Sequence, residues 1–144
     1  MRRLPLLAIA LAWFGMACAQ TPTPAGLWKT FNDSTGKPEG LVRIEEREGE
    51  FLGVVVQVLS SREPNPVCDL CEGALKDQPV VGMTILKGLR REGDGFGGGT
   101  ILDPDEGLTY RCAARLLDRG RKLEVRGYFG LPLFGRTQIW LRAE

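Results

Sequence analysis

The chain has 144 residues, room for one domain with a modest core. It carries 19 glycines and no histidine; the glycines favour turns over long helices, and the missing histidine removes Ser–His–Asp triads, Cys–His dyads and His-based metal sites together. With 19 basic and 18 acidic residues the formal charge is +1, which offers no basic face for nucleic acid.

The first segment reads as a leader. Arg2 and Arg3 form a basic start, Leu4 to Phe14 an apolar run too short to span a membrane, and Ala17-Cys18-Ala19 a small-residue cleavage box. This predicts a secretory signal peptide over residues 1–19, cut between Ala19 and Gln20. A competing reading makes Cys18 the lipidated first residue of a mature lipoprotein, with Gly15-Met16-Ala17 before it. Gly15 stands where such boxes usually carry leucine, so ordinary cleavage is preferred over a lipid anchor at Cys18. Loss of Arg2 and Arg3 would shift the balance to 17 basic against 18 acidic residues, a charge of −1. The expected location is the bacterial periplasm or the exterior. No later run is long and apolar enough for a transmembrane helix.

Residues 20–25, containing "TPTPA", read as an extended linker, and the ordered domain is expected over residues 26–144. "GLWKT" (Gly26 to Thr30) opens it, and "NDSTGKPEG" (Asn32 to Gly40) is dense in turn formers. Leu41 to Glu46 alternates as a half-buried strand, and "FLGVVVQVL" (Phe51 to Leu59) reads as its hairpin partner with Gly53 at a bulge or bend. Ser60 to Pro79 is a long irregular connection, and Val80 to Leu89 a further apolar run. "RREGDGFGGG" (Arg90 to Gly99) is expected to be a glycine-rich turn, with Gly97-Gly98-Gly99 supplying positive φ. Thr100 to Leu102 and Leu108 to Leu116 straddle the turn "DPDEG", with Tyr110, Cys112, Ala114 and Leu116 on one face. After "DRGR", Leu123, Val125, Gly127 and Phe129 alternate with Glu124, Arg126 and Tyr128, and Thr137 to Ala143 closes the chain. About eight short strands with compact turns predict an all-β, antiparallel sandwich or barrel, and a barrel removes exposed edges.

The pair in "NPVCDLCEG" (Asn65 to Gly73) raises a chemical question. A redox C-x-x-C needs a helix N-terminus to lower a thiol pKa, whereas this pair lies in a loop beside Asp69 and Glu72. Zinc wants four ligands, and beyond Gln20 the chain offers Cys68, Cys71 and Cys112. A local Cys68–Cys71 disulfide in an oxidising compartment is the preferred reading, with Cys112 a small inward residue; a bridge from Cys112 to one of the pair is the alternative. No metal site and no cofactor is expected.

The order of these pieces resembles a secreted bacterial family, domain of unknown function 2147 (DUF2147). The matching residues are Gly26-Leu27-Trp28, Asn65-Pro66 with Cys68 and Cys71, Gly82 ahead of Leu86, Gly98-Gly99, Asp103-Pro104, Gly107 with Thr109-Tyr110, Val125 to Tyr128, Gly135-Arg136-Thr137 and Trp140. The resemblance implies a small lipocalin-like (calycin) β-barrel in a secreted or periplasmic protein, and no particular reaction. By the same likeness Trp28 would plug the closed end, with Arg142 packed over it.

A small barrel is either filled by its own side chains or holds one ligand. The candidate ligand-binding residues are Trp28, Tyr110, Arg126, Tyr128, Arg136 and Trp140, each with core packing or a solvated face as the plain alternative; Arg126 and Arg136 could meet an anionic group in the mouth, although alternation opposite Val125 favours the outer face for Arg126. "GLPLFGR" (Gly130 to Arg136) is an apolar turn fit for an entrance or a partner contact. Asp103, Asp105 and Glu106 sit together in a turn, where carboxylates usually bond the local backbone. The expected role is binding of a small apolar or amphipathic ligand. A structural or envelope-interaction protein with a filled barrel is the alternative. An enzyme ranks third, because no nucleophile–base pair is visible.

Overall fold

A computed structural model describes residues 20–144. The expected leader, the Ala19 side of its cleavage site and the anchor alternative at Cys18 lie outside the described residues. The strands are β1 (Gly26–Phe31), β2 (Pro38–Arg47), β3 (Glu50–Val58), β4 (Thr84–Glu92), β5 (Gly95–Asp103), β6 (Leu108–Leu117), β7 (Lys122–Tyr128) and β8 (Gly135–Arg142). Each pairs antiparallel with the next, and β8 returns to β1, giving a closed eight-stranded barrel. Among the described residues no helix is long and apolar enough to cross a membrane.

The period-two patterns set which side chains point inward. Val42 and Ile44 of β2, Cys112 and Ala114 of β6, and Leu123 and Val125 of β7 are all buried. Gly53 falls at the register shift between β3 and β4, where the sequence called for a bulge. Three details differ from expectation. The turn-rich stretch after Asn32 is shorter, because β2 already begins at Pro38. The glycine run is not a turn: β4 reaches Glu92 and β5 starts at Gly95, so Gly97 to Gly99 lie inside a strand. Gly98 does take a positive φ of 70°, at an irregularity of the β5–β6 ladder. A Cβ on Gly99 would stand 2.8 Å from the Lys87 carbonyl oxygen, so the small residue lets β4 and β5 approach closely. Phe129, expected to continue the inward alternation, instead lies beyond the end of β7. The turn bond from Phe129 N–H to the Phe134 carbonyl swings it out against Tyr110, ring centroids 4.4 Å apart.

The barrel has one filled end. There the N-terminal segment, the short turns after β2, β4 and β6, and the C-terminus meet. Phe51 and Phe96 pack edge to face with centroids 5.3 Å apart, alongside buried Leu89, Ile44 and Leu123. Trp28 is fully buried and donates its indole N–H to the Pro24 carbonyl at 2.7 Å. The stretch expected as a linker is therefore tied down at Pro24, itself buried. Trp28 pairs across the β1–β8 seam with Arg142, whose guanidinium carbon lies 4.3 Å from the indole centroid. The same guanidinium donates to the carbonyls of Gly120, Ala25 and Thr23 at 2.7, 2.8 and 3.1 Å.

The long β3–β4 connection carries the disulfide Cys68–Cys71, with Cα atoms 5.3 Å apart. Both cysteines are buried, Cys68 against the Pro104 carbonyl at 3.3 Å. A Cβ on Gly107 would collide with the Leu70 carbonyl, so the stapled loop sits directly on the β5–β6 turn. The bridge thus shapes a loop that braces the turn, as its short span implies. Cys112 stays free, inward and buried, and desolvation pushes its thiol pKa up to about 12.

Two outcomes follow. Arg142→Ala should lower unfolding free energy by about 2–3 kcal/mol in denaturant titrations, and Arg142→Lys should recover less than half of that, since an ammonium cannot reproduce the planar fork. Protein beginning at Gln20 should take up no alkylating agent when native; unfolded without reductant it should take up about one equivalent, at Cys112. Uptake at Cys68 or Cys71 in that state would count against the bridge.

Candidate functional site

The opposite end of the barrel is open. Its rim carries the β1–β2 loop, the long stapled connection, the β5–β6 turn and the β7–β8 turn. Behind it lies a cavity with about 120 Å³ open to the centre of a water molecule, enough for several waters or a compact organic molecule. Val42, Val55, Ile85, Ile101 and Val125 wall it, and Trp140 is among the lining side chains. The emptiness has a local cause. Gly127 occupies an inward position that a larger side chain would fill, while Trp28 and Leu123 fill the closed end; Gly40 also lines the cavity, where a Cβ would meet the Gln57 carbonyl oxygen at 2.8 Å.

The mouth is polar and connected. Arg136, at the start of β8, bonds Asp103 at 2.5 Å and Glu106 at 3.3 Å, and approaches Asp33 at 3.7 Å. It also lies over the Tyr110 ring, 5.5 Å from its centroid. Tyr110 donates its hydroxyl to Glu106. Asp33 accepts from Gln138 at 3.0 Å, and Gln138 accepts from the Trp140 indole N–H at 3.0 Å, so the network reaches from the rim to the interior.

Three carboxylates line the cavity: Glu39, Asp103 and Asp105. Half-burial and the Asp105 carboxyl push the Glu39 pKa up to about 7, although Asn32 works the other way. Asp103 is raised too, by burial first; the Asp105 backbone N–H and Arg136 oppose this, while Glu106 and Asp105 add to it. The hydrogen bond to Glu106 holds the Tyr110 hydroxyl above its usual range. Partial burial alone would weaken the Arg136 charge, but Glu106, Asp103, Tyr110 and Asp33 outweigh it and raise its pKa.

The sequence candidates divide by position. Tyr110, Arg136 and Trp140 come together around the cavity. Trp28 lies at the closed end. Arg126 is outside, where its guanidinium holds the β7–β8 turn through the carbonyls of Pro132 at 2.7 Å and Leu133 at 3.3 Å. Tyr128 shares that side of β7 by alternation and does not line the cavity. Arg126 thus lies on the outer face that its alternation with Val125 favours, and of the two arginines Arg136 is the one at the mouth. Glu39 and Gln138 were missed. Glu39 sat in a stretch read as loop, and its approach to Asp105 depends on strands far apart in the chain.

This geometry, a closed eight-stranded barrel with one plugged and one open end, can be set beside known proteins. Residues 26–142 match the family described as "Uncharacterized protein conserved in bacteria (DUF2147)". The chain belongs to the DUF2147 family. No curated protein matches it in sequence. A solved structure described as "Protein HP1028 from the human pathogen Helicobacter pylori belongs to the lipocalin family" superposes with a TM-score of 0.75 at 20% identity, covering 86% of this chain and 85% of that one. At that identity the likeness shows the fold, and this DUF2147 protein has a lipocalin-like barrel.

Glu39 makes stability depend on pH. Its carboxyl holds a proton in the folded state between the ordinary value of 4.5 and about 7, where the unfolded chain has already lost it. Its contribution is therefore greatest below 4.5 and is lost as pH rises to about 7. Glu39→Gln should flatten the decline of Tm across that window and raise Tm above wild type at about pH 8. Parallel Tm curves for the two proteins would contradict the assignment.

Proposed function

We propose that this protein binds a small, at least partly apolar molecule in the open end of its barrel, outside the bacterial cytoplasm. One observation carries the reading: an apolar-walled cavity that opens through a rim of polar groups. Burial of apolar ligand surface supplies the affinity, and Gln138, Glu39 and the Arg136 network orient the ligand. The lipocalin family membership of the Helicobacter pylori protein HP1028 supports this as analogy of fold. The export part of the reading rests on the leader pattern in residues 1–19 and on the Cys68–Cys71 bridge.

A second reading, interaction with an envelope partner, draws on the β7–β8 turn. Leu131, Leu133 and Phe134 are 64%, 79% and 65% exposed there, and Arg126 holds the turn in place.

Native mass spectrometry of protein purified from its own cells separates the two. The expected spectrum shows a retained small molecule, lost in Gly127→Leu. That variant fills the cavity from its wall, where a Cβ meets only ordinary contacts at 3.4 Å or more. Retention of the same mass by a folded Gly127→Leu protein, or no adduct in either, would count against cavity binding.

A further inference from the structure

We propose that the ligand of this cavity is a cationic amphiphile, with an amine head among the carboxylates of the mouth and an apolar body inside the barrel. This rests on the cavity-binding reading and adds the class of ligand to it. The cavity supplies the site; the charges on its wall select the head group.

Among the described residues lining the cavity, Arg136 is the one cation, against the three carboxylates Glu39, Asp103 and Asp105. Arg136 is already engaged. Asp103, Glu106 and Asp33 surround its guanidinium, and its planar face covers Tyr110. An anionic ligand would have to displace those carboxylates or sit beside them, and either arrangement is repulsive. Glu39 and Asp105 stand differently. Among the described residues no basic side chain forms an ion pair with either. Both line the cavity wall, where burial first and the neighbouring Asp105 carboxyl second hold the Glu39 carboxyl above its ordinary range. A ligand ammonium between them would donate charge-assisted hydrogen bonds to both carboxylates and offset the cost of the half-burial of Glu39.

An organic cation fits better than a metal ion. Among the described residues no three acidic side chains converge as a metal site requires. The apolar wall directly behind the carboxylates would be idle against a hydrated ion, but it matches a short alkyl or aryl body. The polar chain from Trp140 through Gln138 to Asp33 also keeps that wall's one indole N–H satisfied, so the interior makes no demand for a second polar group.

The test uses the full chain from Gln20 and three probes of one length: n-hexylammonium, 1-hexanol and n-hexanoate. Binding is followed at about pH 7.5 by the amide and indole N–H shifts of Gly127 and Trp140. Hexylammonium is expected to bind about tenfold more tightly than hexanol, and hexanoate more weakly than either. The amine advantage should shrink about threefold or more in Glu39→Gln, and likewise in Asp105→Asn, with the hexanol titration reporting that each variant is folded. It should also shrink in high salt, as a charge interaction must. Hexanol binding with no amine advantage would overturn the head-group inference and leave cavity binding intact; so would hexanoate binding most tightly. Shifts from none of the three probes would overturn both.

Discussion

The fold depends on closing a sheet at its weakest seam. Within the sheet, β1 and β8 share only the pairs Trp28–Arg142 and Lys29–Leu141, a short ladder for joining the two ends of the chain. Arg142 compensates by tying three separate segments to one guanidinium: the N-terminal stretch through Thr23 and Ala25, the β6–β7 turn through Gly120, and β1 through the indole of Trp28. Its charge is met by carbonyl dipoles and a π face, with no carboxylate among its partners in the described residues. That suits a half-buried site, where a paired acid would bring its own desolvation cost.

A plugged end leaves the other end free to be something else. Every strand runs through both halves of the barrel, so the same inward faces that carry Trp28, Ile44, Phe96 and Leu123 at the closed end carry Gly40, Val55, Ile101 and Gly127 toward the opening. Large residues collected at one end and small ones at the other convert a packed core into a core with a pocket. The stapled β3–β4 loop extends the division of labour. It seats against Pro104 and Gly107 and so steadies the turn from which Asp103 and Asp105 enter the mouth.

Local patterns made much of this legible. Alternation at Val42 and Ile44, at Cys112 and Ala114, and at Leu123 and Val125 identified strands and their inward faces, because a side-chain period of two survives in almost any sheet environment. The spacing of Cys68 and Cys71 in a loop without histidine pointed to a local bridge. The glycine run Gly97–Gly99 was misread because a turn and a close strand approach both demand the absence of a Cβ, and only the neighbouring Lys87 backbone distinguishes them. Phe129 was misplaced by one residue of strand, since a hydrogen-bonded turn overrode an alternation that continued in the sequence. Alternation with Val125 already favoured the outer face for Arg126, while nothing local placed Arg136. They diverge because opposite parity on paired strands sends one outward onto the β7–β8 turn and the other into the mouth.

By itself, then, the sequence determined the all-β class, the eight-strand rhythm, most inward faces and the family, and favoured a local cysteine bridge, since each is written in residues close together or in an ordered set of short motifs. Tertiary structure alone decided that the barrel is plugged at one end and open at the other, and that Glu39 meets Asp105 across the rim. It also decided that Arg136 arrives with its charge already answered. Those facts depend on which residues share a level of a closed sheet, and strand closure brings together positions such as 39 and 105 that no local pattern relates.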